Sequence, residues 1–233
     1  MKADIAIIIP VFNEVETIRE VVLDIIKNYK GVEIIVVNDG STDGSLDRIK
    51  DIDVKVLNSK KNRGYGAALK TGISYTDKEL IVTIDADGEH SVKHIERLIS
   101  EADCCDMVVG ARAAESVSTF PLLQKIAKGI VYALFLSILK VQILDVNSGL
   151  RLIKKTIIEK YFDLLPDGFS FTSTLTLTMV LEKKKVKYVP VTDFKRRRGS
   201  KVHIFSYTMN FIKSYCKVLF YFKLKKGVFS KIA

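Results

Sequence analysis

The residues best suited to chemistry lie in one short acidic stretch, Asp-Ala-Asp-Gly-Glu-His at 85–90. The four residues before it are apolar or β-branched and predict a buried strand. Residues two apart in an extended segment point the same way, so Asp85 and Asp87 can converge on one spot. Carboxylates held that close repel each other unless a cation lies between them. Such ligands suit Mg²⁺ or Mn²⁺, with Glu89 as a candidate third ligand, although an acidic turn also commonly follows a strand.

The first half of the chain alternates between strand and helix patterns. Pro10 is expected to end the first strand, and Ser91 to cap a helix starting at residue 92. The alternation predicts an α/β fold with a mainly parallel, doubly wound sheet. Strands are predicted at 4–9, 33–37, 54–57, 80–84 and 106–110, and helices at 15–29, 64–75 and 92–102, with a short helix after 38–43.

The loops that follow parallel strands gather polar residues at one edge of such a sheet. Ligands of open α/β sheets bind just beyond the carboxyl ends of the strands. Neither a Gly-x-Gly-x-x-Gly after the first strand nor a Walker sequence is present, which disfavours an NAD dehydrogenase or a P-loop kinase. The expected rim, typical of a nucleotide site, contains Glu14, Asp39, Arg63, Asp85 and Asp87.

The second half has a looser pattern. Residues 174–178, Thr-Leu-Thr-Leu-Thr, alternate as a strand does. The remaining predicted elements are a helix with a broad apolar face at 120–139, a strand and helix ending near 162, a turn at 165–168, a strand at 187–191, a basic loop at 194–201 and an amphipathic helix at 206–226.

Positive charge is concentrated at the C-terminal end. Residues 182–233 contain 15 Lys and Arg against 2 Asp and Glu, whereas residues 1–181 contain 22 against 25. This asymmetry suggests a polyanionic partner: nucleic acid, an acidic membrane surface or a phosphorylated substrate. The three cysteines indicate neither a disulfide framework nor a zinc site. This cysteine pattern favours a reducing, cytosolic location. No signal peptide and no apolar run of about 18 residues is recognised.

Six short motifs, in order, resemble the family-2 glycosyltransferases with a GT-A fold. The closer resemblance is to the dolichyl- and polyprenyl-phosphate sugar synthases, over residues 4–225. It implies a catalytic domain at 1–202 and a basic amphipathic segment at 203–233. Each motif is weak alone, but their order is specific. They lie at 10–14, 38–41, 62–67, 85–90, 110–112 and 145–151.

The resemblance implies a nucleotide-binding set. Asp39 matches the base-recognising aspartate, although the family's usual Asp-Asp is replaced here by Asn38 and Asp39. Pro10, Phe12 and Glu14 match the segment that borders the nucleotide. Arg63 belongs to the same expected rim, with a surface position as its alternative, and Glu14 could instead cap the first helix.

The resemblance also implies a set of phosphate-binding residues. Asp85 and Asp87 match the metal and diphosphate motif, and Glu89 stands where these synthases often have Gln. Arg112 matches an arginine thought to meet the acceptor phosphate. Arg196, Ser200 and Lys201 resemble a loop read as closing over the donor diphosphate and the acceptor, with the register among Arg196, Arg197 and Arg198 left open. Residues 165–172 resemble a segment found in one prokaryotic branch of the family. In that branch the residues after the segment form a helix, so the resemblance favours a helix at 174–178.

The expected reaction moves a hexose from a UDP- or GDP-sugar to polyprenyl or dolichyl phosphate, with inversion and with Mg²⁺ or Mn²⁺. A phosphate acceptor is ionised at pH 7 and needs no strong general base, and the region near Asp145 offers one acid rather than a pair. The rivals are a transferase acting on a sugar hydroxyl, a nucleotidyltransferase and a nucleic-acid-binding protein. No nucleic-acid partner is favoured, because few aromatics interleave the basic loop.

A peripheral position on the cytoplasmic face of the cell membrane is expected. The apolar faces of 120–139 and 206–222 are flanked by lysines and suit the plane of a membrane interface. Amphipathic helices also commonly pack on their own protein core.

Several single residues carry competing interpretations. Arg151 is expected to be a structural partner of Asp145 rather than a substrate contact. His90 suits either a metal ligand or a turn, His94 is expected to be solvated on a helix, and His203 is a candidate phosphate contact.

Overall fold

A computed structural model describes residues 4–112, 144–192 and 204–229, with side chains over 209–225 of the last stretch. The predicted helix at 120–139 and the predicted basic loop at 194–201 lie outside these residues. The same applies to Arg196, Ser200, Lys201 and His203.

The described chain alternates strands and helices as predicted. The strands are β1 (Ile5–Val11), β2 (Glu33–Asn38), β3 (Lys55–Asn58), β4 (Leu80–Thr83), β5 (Met107–Arg112), β6 (Arg151–Lys154) and β7 (Val186–Val191). The α-helices are α1 (Ile18–Asn28), α2 (Tyr65–Tyr75), α3 (His94–Ser100), α4 (Lys155–Ile158), α5 (Phe171–Leu181) and α6 (Ile204–Phe229), with 3₁₀ turns at Ala102–Cys104 and Glu159–Tyr161.

One 7-stranded sheet connects these elements in the order β3-β2-β1-β4-β6-β5-β7. Strand β6 runs antiparallel to β4 and β5, and the other neighbouring strands are parallel. The carboxyl ends of the parallel strands therefore meet the amino end of β6 at one edge of the sheet. The prediction of a mainly parallel α/β fold is confirmed.

Helices cover both faces of the sheet, because the strands alternate buried side chains between two apolar clusters. Ile8 of β1 points into the cluster formed with α2, α5 and α6, whereas Ile7 and Ile9 point into the cluster formed with α1 and α3. Gly72 lets α2 approach the sheet closely, since a Cβ there would lie 2.6 Å from Ile8 Cγ2. The sheet is doubly wound, as predicted.

Pro10 does not end the first strand, which was expected to stop before it. The carbonyl of Ile8 faces β4, because it accepts the Ile84 N–H. The nitrogen of Pro10, two residues further along the strand, faces the same way. Pairing with β4 ends at Thr83, whereas pairing with β2 continues to Val11. The missing N–H of Pro10 therefore costs no ladder hydrogen bond.

Two local helix predictions are wrong. Helix α3 begins at His94, and Ser91 offers its backbone carbonyl to the His94 N–H rather than a side-chain cap. The expected short helix after 38–43 is a series of turns, in which Asp47 bonds to Gly44 and Ile49 to Leu46. These bonds span three residues, so the α-helical ladder is not propagated.

The segment at 174–178 belongs to helix α5, as the resemblance indicated and contrary to its alternating pattern. Every residue from Phe171 to Met179 is buried, so the alternation of Thr and Leu does not define an exposed face. The hydroxyls of Thr176 and Thr178 donate to carbonyls four residues back, which satisfies them inside the helix.

The C-terminal helix α6 packs its apolar face on α5 and the adjoining core. Phe211 and Val218 are fully buried there. Lys225 forms an ion pair of 2.7 Å with Glu182 at the end of α5, and Lys217 donates to the backbone carbonyl of Asp163. Over the described residues, no helix combines the length and the apolar character required to cross a bilayer.

Candidate active site

The carboxyl edge of the sheet gathers the predicted rim. Phe12 and Glu14 follow β1, Asp39 follows β2, and Asp85 follows β4. Arg112 ends β5, while the loop at 145–150 reaches the same edge because β6 is antiparallel. The site is therefore assembled from the ends of neighbouring strands.

Asp85 is held between a hydroxyl and a glycine. The hydroxyl of Tyr65 donates to Asp85 Oδ1 at 2.8 Å. A Cβ built at Gly149 would collide with both carboxylate oxygens, so Asp85 lies against bare backbone. Gly149 is itself fixed, because its carbonyl accepts a 2.6 Å hydrogen bond from Thr83.

The burial and the charges around Asp85 favour a bound divalent cation. Burial raises its pKa, as do the charges of Glu89 and Glu14, while the Tyr65 hydrogen bond and Arg112 lower it. A carboxylate crowded by other acids in an enclosed position gains from a bound cation.

Asp87 and Glu89 lie in a tight turn, so strand periodicity does not set their directions as expected. The strand ends at Thr83, and Asp87 Oδ1 accepts the Glu89 N–H at 2.9 Å across Gly88, whose φ is +67°. Within the described ranges, no three His, Cys, Asp or Glu side chains form a group that could hold a metal. The metal role of the three acids stays a prediction.

Asp39 organises the start of helix α2. It is 3% exposed, and its two oxygens accept the backbone N–H groups of Arg63 and Gly64, each at 2.8 Å. Its neighbour Asn38 donates to Asn58 Oδ1 at 2.6 Å and accepts from the Ser41 N–H. Both residues shape the loops of the predicted nucleotide site.

Arg63 meets Asp39 through its backbone, and its exposed side chain lines a surface cavity of about 480 Å³ beside α2. Leu57, Lys70 and Tyr75 line the same cavity. Of the two predictions made for Arg63, the surface position describes its side chain.

The loop after β1 is tied to the loop after β2. The N–H of Asn13, at φ +58°, donates to Ser41, and the N–H of Glu14 donates to Ser45. Glu14 also caps α1 through its carbonyl, which accepts from Ile18. Pro10 is buried in β1, and Phe12 is exposed at the surface of this loop.

Arg112 and Asp145 form a two-point ion pair. Arg112 Nε lies 2.6 Å from Asp145 Oδ2, and Nη2 lies 2.8 Å from Oδ1. Burial opposes ionisation of Asp145, but the hydrogen bonds and charge of Arg112 prevail and hold its pKa at about 2. The expectation that Arg151 is the partner of Asp145 is wrong, because Arg112 forms this ion pair.

Arg151 is a structural residue with a different set of partners. Its side chain is 1% exposed and donates to the carbonyls of Ser148 and Val146 and to the hydroxyl of Thr176. These bonds fix the loop at 145–150 onto helix α5.

Two histidines near the acidic turn are buried. Burial, followed by the charge of Arg112, lowers the pKa of His90 to about 3, which keeps the imidazole neutral. The expectation that His94 is solvated is wrong, because it is 5% exposed at the start of α3.

Tyr65 and Gly149 were not among the predicted site residues. Tyr65 is 20 residues from Asp85, and its place in a Gly-Tyr-Gly turn was the available signal. Gly149 lies in the motif at 145–151, but its contact with Asp85 depends on the reversed direction of β6.

Comparison with known proteins identifies the family of this chain. The family described as "Glycosyl transferase family 2" matches residues 6–162, and the chain belongs to it. The chain is accordingly a glycosyltransferase.

Several relatives match most of the chain. An uncharacterized protein of Methanocaldococcus jannaschii is 32% identical, over 86% of this chain and 87% of that protein. Polyprenol monophosphomannose synthase of Mycolicibacterium smegmatis is 30% identical, over 83% and 78%. Dolichol-phosphate mannosyltransferase of Pyrococcus furiosus is 29% identical, over 84% of this chain and 58% of that longer protein.

Solved structures share the GT-A fold. Mannosyl-3-phosphoglycerate synthase from Rubrobacter xylanophilus has a TM-score of 0.75 at 15% identity, covering 92% of this chain and 73% of that one. Glucosyl-3-phosphoglycerate synthase from Mycobacterium tuberculosis, in complex with Mn²⁺, UDP and its product, has a TM-score of 0.70 at 18% identity, covering 92% and 79%.

Proposed function

We propose that this chain transfers a hexose from a UDP- or GDP-hexose to polyprenyl or dolichyl phosphate, with inversion at the anomeric carbon. The names of the synthase of M. smegmatis and the mannosyltransferase of P. furiosus, which match more than four fifths of the chain, support this acceptor class.

The Arg112–Asp145 pair is the observation that carries the choice of acceptor. A sugar hydroxyl needs a general base whose pKa lies near the working pH. Asp145, the acid expected in that region, is bound by Arg112 with a pKa of about 2 and is a very weak base. A lipid phosphate is already ionised and can attack without such a base.

The donor is held at the acidic turn and the nucleotide loops. Asp85, Asp87 and Glu89 would hold Mg²⁺ or Mn²⁺, which when bound supplies Lewis-acid stabilisation of the charge on the leaving diphosphate. Asp39 and Asn38, with Pro10, Phe12 and Glu14, border the nucleotide. Asp39 keeps acceptor capacity for a base N–H, because each carboxylate oxygen offers two lone pairs.

Basic residues offset the repulsion between an anionic donor and an anionic acceptor. Arg112 presents a planar fork that suits phosphate, oriented by Asp145. Arg196, Ser200 and Lys201 are assigned to the loop that closes over both phosphates, from their resemblance alone.

Helix α6 is proposed to rest on the cytoplasmic face of the membrane. Phe220 and Leu224 expose 65% and 54% of their surface on the outer side of the helix, with exposed lysines beside them. Apolar side chains rimmed by lysines favour the headgroup region of an anionic bilayer.

An acceptor panel tests the proposal. Purified protein is given labelled UDP-glucose or GDP-mannose, Mn²⁺, and either polyprenyl phosphate or soluble sugars. Label in a lipid-phosphate product, with release of a nucleoside diphosphate, is expected. Turnover with soluble sugars alone would replace the acceptor by a hydroxyl, and release of pyrophosphate from a nucleoside triphosphate would indicate a nucleotidyltransferase.

A further inference from the structure

The hydroxyl of Tyr65 contacts Asp85, the first residue of the acidic stretch at 85–90. It donates to Asp85 Oδ1 at 2.8 Å. The backbone of Gly149 also lies against the carboxylate, since a Cβ there would overlap both oxygens. Asp85 is therefore restrained by a hydrogen bond and by a close backbone contact.

Tyr65 is in turn supported by the segment at 165–169. Its ring stacks on Phe169, with centroids 5.6 Å apart and planes inclined by 15°. The same segment docks on the first turn of α2, because the Ala67 N–H donates to the Asp167 carbonyl at 3.0 Å. A Cβ at Gly66 would overlap the Pro166 carbonyl, so this contact requires glycine.

Phe169 is not buried by its stacking. Its side chain is 49% exposed, so the ring does little for the core and its described aromatic contact is Tyr65. A ring placed in this way acts as an outer brace, limiting the rotation of Tyr65 and keeping the hydroxyl on Asp85.

We infer that Tyr65 is a positioning residue that orients Asp85 for the divalent cation, and that Phe169 acts through Tyr65. The inference rests on the proposed metal role of Asp85. Residues that orient metal ligands by hydrogen bonding typically alter metal affinity by about 10- to 100-fold when they are lost.

The test measures Mn²⁺ binding without turnover. The protein is titrated with Mn²⁺ in saturating UDP and, separately, in saturating GDP, and free Mn²⁺ is followed by electron paramagnetic resonance. Tyr65→Phe removes one oxygen and keeps the stacked ring, and it is expected to weaken Mn²⁺ binding by at least about tenfold. Tyr75→Phe is the matched control, because it makes the same change on the exposed end of α2 and is expected to bind as the wild type does.

Phe169→Leu tests the outer brace. It keeps an apolar side chain but removes the stacking, and a smaller loss of roughly two- to tenfold is expected. In the transfer assay, Tyr65→Phe should raise the Mn²⁺ concentration for half-maximal rate more than it lowers the rate at saturating Mn²⁺.

Three results would overturn the inference: no Mn²⁺ binding by the wild type, an unchanged affinity in Tyr65→Phe, or an equal loss in Tyr75→Phe. Melting curves for all variants show whether a loss comes from unfolding. A failure of the proposed function would give a different result. The wild-type protein would then bind Mn²⁺ and UDP but transfer no hexose to polyprenyl phosphate.

Discussion

Arg112 ends strand β5 and binds Asp145 across the rim through two parallel hydrogen bonds of 2.6 and 2.8 Å. Both side chains are about nine-tenths buried, at 11% and 9% exposure. The pair fixes the guanidinium beside the acidic turn and neutralises the acid that could have served as a base. Because Asp145 is then a very weak base, the pair favours an ionised phosphate over a sugar hydroxyl as the acceptor.

Removing one member of this pair should cost stability. Asp145→Ala leaves Arg112 buried without its carboxylate, and losses of this kind are about 3–5 kcal/mol in the free energy of unfolding. Urea denaturation at pH 7 measures the loss. Asp47→Ala, at an exposed position, is the control and should change stability little. Equal stability of Asp145→Ala and the wild type would mean that the pair contributes nothing.

The same pair predicts a pH dependence. The folded pKa of Asp145, about 2, lies below the value of about 3.9 for an unfolded chain. Its stabilising contribution is therefore complete above the unfolded pKa and is lost as the pH falls towards 2. The gap in stability between the wild type and Asp145→Ala should narrow from pH 5 to pH 3. A gap that widened in acid would contradict the assignment.

Gly149→Ala should disturb the acidic turn. The added methyl group would overlap the Asp85 carboxylate, which must shift and so disturb its hydrogen bond with Tyr65. Overpacking of this kind costs about 1–3 kcal/mol, and transfer activity should fall at least about tenfold. Gly168→Ala is the matched control, because nothing lies within 4 Å of its Cβ position. Similar activity in both variants would show that the position of Asp85 is unimportant.

Asp39→Asn should weaken both the α2 start and nucleotide binding. An amide offers one oxygen, so the N–H of Arg63 or Gly64 loses its acceptor, at a cost of about 1–3 kcal/mol. Calorimetry should show lower affinity for the preferred nucleoside diphosphate. Asp47→Asn makes the same change at an exposed site and should leave this affinity intact. Unchanged nucleotide affinity in Asp39→Asn would remove this residue from the nucleotide site.

Helix α6 should mediate binding to anionic vesicles. Phe220→Ser together with Leu224→Ser removes exposed apolar surface and should lower co-sedimentation with phosphatidylglycerol vesicles several-fold. Leu23→Ser, 43% exposed on α1 across the sheet, is the control. Equal sedimentation of the double variant and the wild type would remove the membrane role of α6.

Much of the fold was predictable because buried strands leave apolar runs and loops leave polar ones. The rim at Glu14, Asp39 and Asp85 followed from the parallel arrangement alone. The reversal of β6 was not predictable, since a single strand pattern does not state its direction. The contacts of Asp85 with Tyr65 and Gly149 depend on that reversal and on packing between distant residues.

Other errors had local causes. Pro10 was expected to end its strand, but its partner strand β4 ends first, so proline is tolerated. Asp145 pairs with Arg112 rather than Arg151 because the two arginines lie on different strands, Arg112 at the end of β5 and Arg151 at the start of β6. Arg151 begins β6 and donates to Thr176 of α5, a pairing that spacing along the chain does not reveal.

Calorimetry of UDP and GDP, with and without Mn²⁺, measures whether a cation joins the acidic stretch at 85–90 to the diphosphate. We expect one nucleoside diphosphate to bind in the presence of Mn²⁺, and this binding to be lost with chelator or in Asp87→Ala while the variant keeps its fold. Binding of equal strength without the metal, or full binding by Asp87→Ala, would contradict a cation held between the acidic turn and the diphosphate.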